Sequence, residues 1–210
     1  MLNIIDIIYE NIPKDLFSAQ DLKVLIKGSA DSRYGIVKRA VAAGKLIQVK
    51  KGLYCLAKKY QRRGVNLYEL SRMLYGPSYI SFESALSYHQ WIPEAVYTLT
   101  GACAKRAKSF STPLGEFSYT RLPSANFYMG VERVVSENGV FFMAAPFRAL
   151  ADYVYANKKN WTDTGPLVKD LRIEPETLRK ADVSLLGQLS AFYRNKRTEK
   201  FIRAIKRELS

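Results

Sequence analysis

The sequence predicts an α+β fold in two parts: three short helices and a strand pair over residues 1–60, and a mixed α/β domain over residues 65–210. Three observations predict it. Apolar residues recur at helical spacing, with capping residues, as far as Gly44, and then give way to a strand pair. A strand-like run follows from Val96 to Met143. Helical spacing returns at Pro146 to Tyr155 and again from Ile173.

The first helix is read from Ile4, Ile5, Ile8 and Ile12, which share one face and stop at Pro13. Ser18 and Asp21 are spaced as a capping box for a second helix with Leu22, Leu25 and Ile26 on its inner side. Gly28 has the position of a glycine that closes such a helix. Ser29 or Asp31 then caps a third helix with Val37, Ala40 and Val41 inward, stopped by Gly44. The period next drops to two. Residues 46–56 read as two strands turning at Lys50-Lys51-Gly52. Helix, short turn, helix and hairpin in that order make a winged helix-turn-helix over residues 1–60.

The polar, basic stretch 58–64 reads as a boundary. Beyond it, Leu67, Leu70, Leu74 and Tyr75 suggest a helix ended by Gly76-Pro77. Residues 79–82 suggest a strand, and Ala85, Leu86 and Tyr88 a helix. Turns at Thr112-Pro113-Leu114-Gly115 and Glu137-Asn138-Gly139 divide the strand-like run into antiparallel strands. Glu174-Pro175-Glu176 opens the terminal helices.

Composition narrows the function. Hydrophobic residues make up 48% and charged residues 25%, as in a globular chain. Thirty-three Lys and Arg against nineteen Asp and Glu give a net charge of +14. That excess draws polyanions, with nucleic acid the first candidate. Residues 1–60 hold eleven basic and five acidic side chains, the heaviest excess in the chain. A second concentration lies in the last helix: Arg194, Lys196, Arg197, Lys200, Arg203, Lys206 and Arg207, with Glu199 the only acid between them. Leu189, Phe192, Tyr193, Phe201, Ile202 and Ile205 give that helix a packed side. Its basic side reads as a solvated face, a second polyanion contact or a dock for an acidic partner.

Double-stranded DNA is the expected partner of the N-terminal unit. Base edges fall to the start of the third helix, at Ser32, Arg33 and Tyr34, with Arg33 suited to a bidentate contact with guanine. Lys38, Arg39, Lys45, Lys50 and Lys51 are expected on phosphates. Catalytic chemistry finds little support. His89 is the one histidine, the central carboxylates are scattered, and no phosphate loop or nucleophile elbow is present. No enzyme activity, cofactor or metal is expected. Cys55 and Cys103 read as free thiols in a cytoplasmic protein. The start Met-Leu-Asn-Ile-Ile-Asp lacks the basic region of a signal peptide.

Several blocks resemble one family. Lys51-Gly52-Leu53-Tyr54, the run from Tyr79 through Phe82-Glu83-Ser84-Ala85-Leu86-Ser87-Tyr88-His89 to Trp91-Ile92-Pro93, and Pro146-Phe147-Arg148-Ala149-Leu150-Ala151-Asp152 are similar to the AbiEi antitoxins of type IV toxin–antitoxin systems. The resemblance spans about residues 18 to 155. It implies a transcriptional repressor whose winged helix binds inverted repeats in its own promoter. It also implies a C-terminal domain that neutralises a nucleotidyltransferase-like toxin without the two necessarily forming a stable complex. It does not say which residues here would neutralise a toxin, and the alternative readings are a protein-interaction regulator with no toxin partner or a nucleic-acid-processing enzyme. Arg148 and Asp152, four apart, are spaced to pair along one helix face.

Overall fold

The computed structural model describes residues 3–123 and 125–209. The chain begins with α1 (Ile4–Asn11), β1 (Leu16–Ser18), α2 (Ala19–Leu25), α3 (Ala30–Ala42), β2 (Leu46–Lys50) and β3 (Leu53–Leu56). Asn3 caps α1, which buries Ile4, Ile5 and Ile8. The capping box of α2 is complete: Ser18 Oγ accepts from the Asp21 N–H, and the Asp21 carboxylate accepts from the Ser18 N–H. Helix α2 ends in extended backbone at Ile26, so Gly28 starts the turn to α3 two residues later and does not itself close the helix. Ser29 is the cap of α3. The hairpin turns at Lys51-Gly52, where Gly52 has φ +80°, a conformation a side chain strains.

Strand β1 has no counterpart in the sequence reading. It pairs antiparallel with β3, giving a sheet of order β1-β3-β2. Three residues are too few to display a period of two.

The larger part runs α4 (Leu67–Leu74), β4 (Ser78–Ile80), α5 (Phe82–Tyr88), β5 (Thr98–Cys103), β6 (Lys108–Thr112), β7 (Gly115–Arg121), β8 (Val131–Ser136) and β9 (Gly139–Ala144). It continues through α6 (Pro146–Ala156), α7 (Gly165–Lys169), α8 (Pro175–Arg179), α9 (Ser184–Phe192) and α10 (Lys196–Leu209). The six strands have the order β6-β7-β5-β4-β9-β8. The sheet is mixed and not purely antiparallel. β5 runs parallel to β7, and β4 parallel to β9. The β6–β7 hairpin lies with β7 inward, which sets β7 beside β5 in the same direction. Alternation in the sequence reveals that strands exist, but not their order.

The last helix is also divided differently from the sequence reading. Leu189 and Phe192 belong to α9, and Arg194 has φ 45° in the break before α10. The expected apolar residues are still buried, with Tyr193 at the C-cap of α9.

Among the described residues, three cores hold the chain. One lies inside the N-terminal unit around Ile8, Phe17, Leu22, Val37 and Leu56. The largest lies between one sheet face and the helices α5, α6, α9 and α10. The third is a seam. Leu16, Val49, Leu53 and Cys55 of the first sheet meet Leu70, Leu74, Cys103, Phe117 and Tyr119 of the second part. Neighbours on β5 separate accordingly, Ala102 into the large core and Cys103 into the seam.

Polar contacts edge this seam. The buried Asp15 carboxylate accepts the backbone N–H groups of Arg62, Arg63 and Gly64 at 3.0, 2.9 and 3.1 Å. Lys14 pairs with buried Glu69, and Asn138 donates to the Arg63 carbonyl. The stretch expected to be a boundary therefore joins the two parts. Among the described residues, no helix is long and apolar enough to cross a membrane.

Candidate nucleic-acid interface

Helix α3 has two unlike sides. Val37 and Ala40 are buried, and Ile36 and Val41 are half-buried, facing the small core. Asp31, Ser32, Tyr34, Lys38 and Arg39 are exposed. Ser29 Oγ accepts the Ser32 N–H at 3.2 Å, which fixes the start of the helix beside the turn. Gly35 lies on the outward side, and a Cβ there would stand 3.3 Å from the Arg39 guanidinium. The missing side chain lets Arg39 lie back along the helix.

The eight residues expected to contact DNA are not equivalent in the structure. Ser32, Tyr34, Lys38 and Arg39 share the exposed side of α3, and Lys51 stands exposed at the hairpin tip. Arg33 is half-buried, and its guanidinium donates to the Gly28 carbonyl. It borders a shallow groove of about 280 Å³, lined also by Gln20, Lys23, Tyr34 and Tyr54. Lys45 is half-buried and donates to Asn3 Oδ1 at 3.0 Å.

Lys50 lies away from this surface. Its ammonium donates to the Met73 and Leu74 carbonyls at 3.0 and 2.5 Å, at the carbonyl end of α4. The negative end of the helix dipole favours a cation there. Burial, and then nearby Lys108, lowers the Lys50 pKa below the usual lysine value. The cause of its placement is local. The β2–β3 register shifts between Gln48 and Lys50, and such a bulge re-aims the side chain after it. Lys50 thus braces the seam.

Sequence reading passed over Lys23 and Gln20, on the helix that precedes the turn. They line the groove beside Arg33 and Tyr34, and their basic and polar character on a helix next to α3 is the signal that could have drawn attention to them.

The blocks that stand out in the larger part are mostly interior, with Tyr88, Gln90 and Pro93 exposed. Arg148 is 0% exposed. It donates to Asp152 at 3.0 Å, to the Met129 carbonyl at 2.9 Å and to the Tyr79 hydroxyl, and its cation lies 3.9 Å from the Phe192 ring centre. Asp152 also accepts from Tyr79, Ser81 and Tyr193 at 2.9, 2.6 and 2.5 Å. Burial raises the Asp152 pKa from the ordinary aspartate value, against the pull of Arg148 and the three hydroxyls. His89 Nε2 lies 2.9 Å from the Ala144 carbonyl oxygen. Ser84 exchanges hydrogen bonds with Thr100. These side chains tie β4, α5, α6 and the end of α9 together.

Fold and surface together define an α+β chain with a small helical unit at one end that carries an exposed basic face. The chain is similar in fold to the RV2827C protein from Mycobacterium tuberculosis, known from a crystal structure. The two are 15% identical with a TM-score of 0.57, over 99% of this chain and 80% of that one. No family profile and no curated protein sequence matches the chain.

Proposed function

We propose that residues 1–60 form a winged helix-turn-helix that binds duplex DNA, and that the chain is a sequence-specific repressor of its own promoter, acting as the antitoxin of a type IV system. The observation that carries the DNA reading is the exposed side of α3, where Ser32, Tyr34, Lys38 and Arg39 stand clear of the small core. The element order around it supports the reading: helix, turn and helix, followed by a hairpin with Lys51 at its tip. The antitoxin role rests on the family resemblance in the sequence.

In this reading Lys38, Arg39 and Lys51 contact phosphates and set the position of α3. Ser32 and Tyr34 face base edges. Arg33 reads guanine by exchanging the Gly28 carbonyl for the base. Lys45 and Lys50 keep their protein partners and make no phosphate contact.

The test is binding of the full chain to duplex from its own upstream region across a salt series. Replacing Lys38, Arg39 and Lys51 by Gln should lower the slope of log K against log salt by about 2 to 3, near 0.9 per lost phosphate contact. Arg33→Ala should relax discrimination at one base pair by about 1–3 kcal/mol. Unchanged slope and unchanged discrimination would sink the assignment. The antitoxin role is tested separately, by co-expressing the full chain with a nucleotidyltransferase-like toxin encoded beside it. Growth that stays arrested removes that role and leaves the DNA reading standing.

A further inference from the structure

The C-terminal helix α10 carries a second basic surface that the reading above does not use. Its apolar side is spent on the core: Phe201, Ile202 and Ile205 are at most 2% exposed, packed with α6 and α9. That anchoring fixes what the other side presents. At about 100° per residue, positions 196, 200, 203 and 207 fall within an arc of about 60°. They are Lys196, Lys200, Arg203 and Arg207, all exposed, and they run about 16 Å along the helix at 1.5 Å per residue. Arg203 pairs with Glu199. Among the described residues, Lys196, Lys200 and Arg207 have no carboxylate within 4 Å. Exposed Arg194 and Lys206 flank the row.

Like charges three and four apart oppose helix formation, and among the described residues no ion pair offsets Lys196, Lys200 or Arg207. An external anion would relieve the repulsion. A membrane surface suits the helix poorly, because a helix lying on a bilayer needs a free apolar side and α10 has buried its own. A rigid row of cations about 16 Å long suits a rigid, densely anionic surface, and duplex DNA carries one charge per about 1.7 Å of axis with both strands counted. We propose that α10 is a sequence-independent dock for the phosphate backbone of duplex DNA, separate from α3.

The probe is a 24-base-pair duplex of random sequence, bound by the full chain between 0.05 and 0.3 M salt and followed by fluorescence anisotropy. Random sequence makes the outcome independent of whether α3 reads an operator. The variant K196Q/K200Q/R207Q should lower the slope of log K against log salt by about 2 to 3. Its affinity near 0.1 M salt should fall at least tenfold, with a melting temperature unchanged or slightly raised by the relieved repulsion. The variant K105Q/K158Q/K169Q removes three exposed lysines elsewhere, loses the same net charge, and should keep nearly the full slope. The charge-preserving K196R/K200R/R207K should bind as the parent does. On a duplex that α3 does read, the α10 variant should weaken specific and random binding by the same factor, whereas α3 variants change their ratio. Equal slopes for the α10 and control variants overturn the proposal. So does a loss confined to vesicles of anionic lipid, with DNA binding intact.

Discussion

Helices α3 and α6 both carry charged side chains, and they treat them in opposite ways. On α3, Lys38 and Arg39 stand in water with the apolar residues turned inward. On α6, Arg148 and Asp152 are wholly enclosed, and every polar arm described for them finds a partner. Removing a charge from the first surface takes away something a ligand could feel. Removing one from the second leaves its partner stranded where water cannot reach. Conspicuous sequence therefore marks architecture in one region and a candidate contact surface in the other.

The largest effect should come from splitting the enclosed pair. Arg148→Met leaves Asp152 buried without its cation and should cost about 3–5 kcal/mol in chemical denaturation. Replacing both by apolar residues should recover part of that loss. A single substitution costing under about 1 kcal/mol would show that the network does not hold α6, β4 and α9 together.

A middle effect should appear at the hairpin, where adjacent lysines differ in kind. Lys50→Met keeps the stem but abandons two α4 carbonyls, and should cost about 1–2 kcal/mol. Lys51→Met should stay within about 0.5 kcal/mol, as an exposed tip residue does. Salt titration of DNA binding should show the reverse ranking. Equal effects of the two substitutions in both measurements would erase the distinction.

The smallest effect should be seen at alkaline pH. Burial, and then Asp15, pushes the Cys55 thiol up to about 11, and burial pushes the Tyr119 phenol up to about 12. Both folded values lie above the unfolded ones. The stability they contribute is whole below about pH 9 and is lost as pH rises through 11 and 12. Melting temperature should fall by a few degrees between pH 9 and 11, and Cys55→Ala should flatten that fall. A melting temperature that holds constant to pH 11 would count against ionisation within the seam.

Local chemistry was legible in the sequence, and assembly was not. The Ser18–Asp21 capping box, the turn at Gly52 and the Arg148–Asp152 pair lie within a few residues, and spacing alone announces them. The partners that complete the buried network, Tyr79, Ser81 and Tyr193, are far away in sequence and carry no local mark. β1 is too short to show a period, and the parallel pairings depend on which way a hairpin lies. At the candidate interface, residue type identified eight side chains, but a one-residue bulge turned Lys50 into the seam and a nearby carbonyl engaged Arg33. Exposure separates the eight, and exposure is a property of the packed chain.

The Asp15 clamp has one more consequence. Communication between two parts of a protein commonly runs through a hinge, which swings at little cost. Here three consecutive amides of the connecting stretch are held by one enclosed carboxylate of the N-terminal unit. Residues 62–64 are thereby fixed to that unit, and a relative movement of the two parts would have to open the apolar seam and not merely bend this stretch.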